Sequence, residues 1–206
     1  MKLTIQTFLT LDGVMQAPGG PDEDTDSGFQ HGGWGFPFGD EDFGASVTEW
    51  MSQADGVLLG RKTYEIFASY WPHQTDPANP IATSLNTLPK YVASTTLKSA
   101  DWQNSTILSG DVVSEVTKLK ERPGRELQVH GSGQLAQTLI DADLIDEYLL
   151  YYHPVHLGTG KKLFRDGAPA RALKLMDSHT TGAGVIIARY APDGPARYGS
   201  YAEEGA

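Results

Sequence analysis

Twice in this chain a short apolar run ends at a glycine and turns at once into a helical pattern. In GVLLGRKTYEIF, residues 56–67, Val57, Leu58 and Leu59 read as a buried strand. Tyr64, Phe67, Ala68 and Trp71 then recur at helical spacing. In ELQVHGSGQLAQTLI, residues 126–140, the strand ELQVHG runs into a helix with Leu135, Ala136, Leu139 and Ile140 on one face. A strand that feeds straight into a helix cannot hairpin onto its successor. The helix carries the chain back, so the next strand lies parallel. Units of this kind imply one central, mostly parallel sheet with helices on both faces.

The remaining segments fit that plan. LTIQTFL, residues 3–9, reads as a strand, with Leu3, Ile5 and Thr7 on one face and Thr4, Gln6 and Phe8 on the other. A helix is predicted over 45–54, a strand over 57–60 and a helix over 62–70. The Pro- and Asn-punctuated connection that follows holds one short helical turn. KYVAST and STIL are strands, and DVVSEVTKLKE is a helix capped by Asp111. IDEYLLYYHPV is a long strand, and ALKLMDSHTTGAGVIIARY reads as a terminal hairpin. No repeat or linker divides the chain. Residues 1–191 are expected to form a single domain and 192–206 a flexible C-terminal tail.

Residues 13–44 break the pattern: nine glycines, seven acidic residues and five aromatics follow no steady period. A loop of that length is either functional or an insertion. HGGWGFPFGD pairs flexibility with aromatic surface, which suits a lid; a solvated insertion with a few aromatics tucked under it suits the composition equally.

A net charge of −10 argues against nucleic acid as a partner while leaving room for a local cationic pocket. The chain has no cysteine, so it has neither disulfides nor thiolate metal sites, which fits a cytoplasmic protein. No run of 18 apolar residues and no leader pattern is found, so no membrane partner is expected. His153 and His156 face opposite ways along an extended chain, and the other histidines are scattered, so no metal site is expected.

Three motifs fall at strand ends, where open α/β sheets bind ligands. Gly60, Arg61, Lys62 and Thr63 open a helix. Two cations there are mildly unfavourable against the helix dipole unless an anion sits between them and the free amides. The alternative is that both side chains extend into water. Gly131, Ser132, Gly133, Gln134 and Leu135 form a tight strand-to-helix turn. Gly131, Gly133 and Ala136 also fit the spacing that lets amides approach a pyrophosphate. The acidic residue that would hold a free ribose hydroxyl is absent about 20 residues on, where Tyr152, His153 and Pro154 stand. A missing acid with added cations points to a phosphorylated ribose, and so to NADPH rather than NADH. Ser94 and Thr95, ending VASTT, are placed to donate to a phosphate. No nucleophile with an obvious base occurs, which suits hydride transfer, where the cofactor carries the chemistry.

LLGRKTYE resembles the dihydrofolate reductase motif of strand, Gly-Arg-x-Thr-aromatic-Glu and helix, and VASTT and VHGSGQLAQTLI resemble that family's second cofactor strand and Gly-rich loop. TLDGVM and HPVHLGTGKKLF are more similar to a sister group, the C-terminal reductase domain of the bifunctional riboflavin-biosynthesis deaminase/reductase and its stand-alone bacterial relatives. The resemblance implies a three-layer αβα sandwich around an eight-stranded mixed sheet. It implies NADPH bound by Gly60, Arg61, Lys62 and Thr63 at its phosphates, by Ser94 and Thr95 near the adenosine, and by Gly131 to Leu135 around the pyrophosphate. Asp12 and Gly13 would approach the nicotinamide, with Asp12 the one catalytic candidate. Trp34, Phe67 and Trp71 would line the substrate side, and a homodimer is expected.

The deaminase half needs zinc-binding cysteines, which this chain lacks. Dihydrofolate reductase carries a buried acid on the helix before its LLGR-like strand; Asp42 and Glu49 are the candidates here. The leading expectation is a reductase acting on a small heterocyclic or sugar-derived substrate. The alternatives are a nucleotide-binding protein without turnover, a pterin reductase, and a flavin-using reductase.

Overall fold

The computed structural model describes residues 1–201. Its core is one eight-stranded sheet in the order β4-β3-β2-β5-β1-β6-β8-β7. The strands are β1 (Lys2–Thr10), β2 (Ala54–Gly60), β3 (Lys90–Ala93), β4 (Ser105–Leu108), β5 (Glu126–His130), β6 (Glu147–His153), β7 (Arg171–Thr180) and β8 (Ile186–Pro195). Strands β1 to β6 pair in parallel. The β7–β8 hairpin joins antiparallel at the β6 edge. The mixed sheet with its antiparallel ending is the one the sequence implies.

Five helices cover the sheet: α1 (Glu41–Ser52), α2 (Arg61–Tyr70), α3 (Pro80–Thr87), α4 (Val112–Lys120) and α5 (Gly133–Asp141). Leu3, Ile5 and Leu9 of β1 pack with Leu127 and Val129 of β5 against Val116 and Leu119 of α4 and Leu135 and Leu139 of α5. The opposite face carries Met51 of α1, Tyr64 of α2 and Leu85 of α3 over Val57, Leu59 and Val92. Central β1 is therefore buried on both faces, as a parallel strand between helical layers must be. Each fully buried Leu or Ile contributes about 1.5–3 kcal/mol.

Several boundaries differ from the sequence reading. Strand β2 starts at Ala54 rather than 57, so the helix before it ends at Ser52 rather than 54. Helix α1 starts at Glu41, not 45, because the Asp40 side chain accepts from the Phe43 amide at 2.8 Å and caps it there. The short turn expected before β3 is a two-turn helix, α3, capped by Asn79. Residues 192–195, expected to begin the tail, end β8: Pro192 pairs with Leu173 and Pro195 with Arg171. Residues 202–206 of the expected tail lie outside the described residues. A further feature has no sequence sign. Lys90, the first residue of β3, is fully buried, donates to the Leu85 and Leu88 carbonyls at the end of α3, and lies 4.4 Å over the Trp102 ring.

The long 13–44 segment is mostly packed. Val14, Ala17, Phe29 and Trp34 form a small core of their own. The Trp34 indole donates to the Gln16 carbonyl at 2.7 Å. Two 3-10 turns, Asp26–Gly28 and Phe36–Phe38, shape the path.

Candidate functional site

The carboxyl ends of β2 and β5 are adjacent, and each feeds a helix with no side-chain cap. The first amides of a helix have no intrahelical partner, so two positive helix ends open on one groove. The two turns are bonded together. The Gly60 amide donates to Ser132 Oγ at 2.8 Å, that hydroxyl donates to the His130 carbonyl at 2.7 Å, and the Ser132 amide donates to Thr63 Oγ1 at 3.0 Å. Thr63 and Ser132 thus spend their hydroxyls on holding the turns together, and the amides of Gly133, Gln134 and Leu135, at the uncapped start of α5, have no intrahelical partner. Gly131 and Ser132 are both left-handed, at φ 51° and 54°. A β-carbon on Gly131 would sit 3.3 Å from Thr63 Oγ1. A side chain there would be strained by the left-handed angle and would press on Thr63.

Arg61 and Lys62 point to different places. The Arg61 guanidinium bonds Glu65 at 2.7 Å and reaches Thr96 Oγ1, also at 2.7 Å, so it lies along the groove toward the end of β3. Ser94 Oγ accepts from the Thr96 and Leu97 amides, so it shapes that turn, with Thr95 exposed beside it. Lys62 instead meets Asp24 and Asp26 at 2.7 and 2.6 Å. The sequence reading missed both Thr96 and this acidic partner.

Asp12 has a structural task. Its carboxylate accepts from Thr10 Oγ1 at 2.5 Å and from the Leu157 and Gly158 amides at 3.2 and 2.8 Å. The Thr10 hydroxyl above all, with the Gly158 and Leu157 amides, holds its carboxyl down at about 2 against the opposing effect of burial. It is ionised at neutral pH and has no proton to give. In the free protein Asp12, the catalytic candidate, braces the β1 exit against the β6 exit. Gly13 beside it supplies a positive φ of 80° to the same turn.

The substrate-side candidates separate. Phe67 projects from α2 toward His130, with ring centroids 6.2 Å apart, and Trp50 of α1 faces the same imidazole at 4.8 Å. Trp71 packs on Phe67 one turn further along. Trp34 belongs elsewhere: it is buried, and its edge meets His153 at 5.1 Å. Phe8, Phe38 and Phe43 complete a ring around His153 at 5.7 to 5.9 Å. Most of the loop's aromatics therefore pack at the β6 exit rather than over the groove, while Phe36 is exposed.

On the α1 face of the sheet, Gln6 and His130 are neighbours in register. Each is buried; Gln6 lies against the Tyr151 hydroxyl, and His130 Nε2 has no partner among the described residues. Burial alone pushes the His130 imidazole down to about 3, so it is neutral. Asp42 and Glu49 are both exposed. The α1 side chain that hydrogen-bonds β6 is Ser46, 2.9 Å from the Tyr151 hydroxyl. The helix thus offers no buried acid of the folate type. Among the described residues no group of three or more His, Asp or Glu is placed to hold a metal, and no helix is long and apolar enough to cross a membrane.

An eight-stranded mixed sheet covered by helices is the dihydrofolate-reductase-like fold. Within that class, the family profile of the RibD C-terminal domain matches residues 1–187, and the chain belongs to this family. It is 30% identical over 191 residues to the uncharacterized protein YyaP of Bacillus subtilis (strain 168), covering 90% of this chain and 92% of that protein. The uncharacterized protein YwjB of the same organism is 24% identical over 143 residues, or 68% and 75% of the two chains. In fold, a putative riboflavin biosynthesis protein from Shewanella sp. PV-4 superposes with a TM-score of 0.66 at 20% identity, covering 94% of this chain and 99% of that one. A diaminohydroxyphosphoribosylaminopyrimidine deaminase/5-amino-6-(5-phosphoribosylamino)uracil reductase from Thermotoga maritima gives 0.61 at 14% identity. That match covers 93% of this chain and 56% of the bifunctional protein.

Proposed function

We propose that the protein is an NADPH-dependent reductase of the riboflavin-biosynthesis reductase type, passing a hydride to a small heterocyclic or sugar-derived acceptor. The observation that carries this reading is the pair of uncapped helix ends bonded side by side at the exits of β2 and β5. Amides 61–63 and 133–135 are suited to a pyrophosphate. Arg61, lying between Glu65 and Thr96, suits a ribose phosphate, and Ser94 and Thr95 lie beside the adenosine end. When bound, the nicotinamide supplies the hydride. The chain's task is to bind, orient and keep water out. The partnerless His130 Nε2, with Trp50 and Phe67 against the imidazole, suits a flat acceptor bearing carbonyl or ring-nitrogen groups.

Titration of NADPH and NADH by fluorescence tests the cofactor. Micromolar NADPH binding is expected. Arg61→Ala is expected to weaken NADPH about tenfold and leave NADH unchanged, since it removes a charge-assisted contact to the extra phosphate alone. Absence of NADPH binding, or equal loss for both nucleotides, would sink the assignment. The proposal includes a cytoplasmic homodimer joined through the β7–β8 hairpin, where Leu175, Met176 and Ile186 are about half exposed (50%, 51% and 45%). Light scattering that returns a monomer of 22.3 kDa would refute the dimer.

A further inference from the structure

Lys62 and Lys161 come from opposite halves of the chain and meet over two carboxylates. Lys62 Nζ lies 2.7 Å from Asp24 Oδ1 and 2.6 Å from Asp26 Oδ1. Lys161 Nζ lies 2.7 Å from Asp24 Oδ2 and 2.6 Å from Asp26 Oδ2. Each carboxylate thus spans both ammonium groups in a closed ring of four contacts. Buried Gln16 holds the backbone on either side: its Nε2 donates to the Asp24 and Asp26 carbonyls, and its Oε1 accepts from the Lys161 amide. The Asp26 amide returns to Asp24 Oδ1 at 3.1 Å. Asp24 is the inner member, its side chain 13% exposed against 53% for Asp26. Burial works to raise its carboxyl, but the bonds from Lys161 and Lys62 outweigh it and hold it at about 2.

Lys62 is the second residue of α2, beside that helix's uncapped amides. A cation there needs an anion nearby. The chain supplies one from its own acidic run, DEDTD, residues 22–26. A phosphate approaching the α2 amides and the Asp24–Asp26 strap therefore want the same ammonium groups.

We propose that residues 24–26 are an autoinhibitory strap whose paired carboxylates occupy Lys62 and Lys161, so that a phosphate-bearing ligand binds the groove by displacing them. This rests on the cofactor reading above only for the ligand's identity; the strap itself is a property of the free protein. Apparent affinity is the intrinsic affinity reduced by the fraction of molecules with the strap open. Asp26 is open to exchange with solvent and ligand, while Asp24 is the more firmly held of the two.

The test compares the wild type with the isosteric Asp24→Asn/Asp26→Asn variant. NADPH and inorganic pyrophosphate are the titrants, and hydrogen exchange of residues 20–30 is the second readout. With the strap closed about nine-tenths of the time, the variant is expected to bind about tenfold tighter. In the wild type, which needs no substitution to fold, saturating ligand is expected to speed exchange in 20–30. Raising salt without ligand is expected to do the same, because surface ion pairs are screened. Slower exchange on binding together with weaker binding by the variant would identify a clamp that closes on the ligand, and would overturn the proposal. So would equal affinity of the two proteins, or exchange that responds to neither titrant. If pyrophosphate opens the strap and NADPH does not bind, the strap stands and the cofactor reading falls. If NADPH binds both proteins equally, the reverse holds.

Discussion

At the exits of β2 and β5 the site is bounded by backbone; at the exits of β1 and β6 it is bounded by rings. The first boundary consists of amides, two left-handed residues and three hydrogen bonds that leave helix ends open. The second consists of Phe8, Trp34, Phe38 and Phe43 packed around His153. Backbone donors serve an anion without regard to side-chain identity, whereas packed rings give stability and shape. The two boundaries should therefore respond to mutation in opposite ways.

The largest effect is expected on the aromatic side. Trp34→Ala removes a buried ring and its bond to the Gln16 carbonyl, at a cost of about 3–5 kcal/mol in urea denaturation. NADPH affinity of the remaining folded protein should barely change; a variant as stable as wild type would show that the ring is decoration. Next comes acid sensitivity at the groove. His130 is held neutral by burial, its folded value of about 3 lying below the ordinary 6.5. The folded state then binds fewer protons, so stability is full above pH 6.5 and declines as pH falls toward 3. At pH 5 the loss is about 2 kcal/mol. His130→Phe should flatten the melting curve between pH 6.5 and 4, a window above the one in which Asp24 titrates. Unaltered pH dependence in that variant would assign the acid sensitivity elsewhere, with buried His153, also shifted down, the next group to replace. The smallest stability effect is expected at Gly131→Ala, about 1–2 kcal/mol for a side chain in left-handed backbone. Its NADPH affinity should nevertheless fall at least tenfold, because Thr63 and the facing amides must move. Intact binding there would mean that the backbone boundary is not the ligand's.

The same contrast decides what a reader of the sequence can see. Strand-to-helix turns announce themselves locally through a glycine, a change of period and the residues after it. The parallel sheet, α2, α5 and the Gly60 and Gly131 turns were all legible for that reason. The Asp40 cap that starts α1 early is also local and readable in retrospect. What stayed hidden depends on partners far along the chain. Asp12 is next to a glycine in a familiar motif, yet its role comes from amides 145 and 146 residues away. Lys62 reads correctly as a cation in want of an anion, but nothing local says that Asp24 provides it or that Lys161 shares it. Burial of Lys90 is hidden for a different reason: its carbonyl acceptors, Leu85 and Leu88, are close in sequence and face it only once α3 has turned.

The place of β1 in the sheet has a consequence for synthesis. Strands β2, β3 and β4 are mutual neighbours and can associate as soon as they are made, but β1 lies between β5 and β6. Its first partner residue is Glu126. At translation rates of about 5–20 residues per second, the most buried strand of the molecule waits roughly 6–25 s with its edges open. During that interval LTIQTFL is an unsatisfied apolar segment of the kind chaperones hold and aggregates recruit. The ribosome-bound chain therefore carries β1 unpaired until β5 and β6 emerge, long before the groove of the finished protein exists.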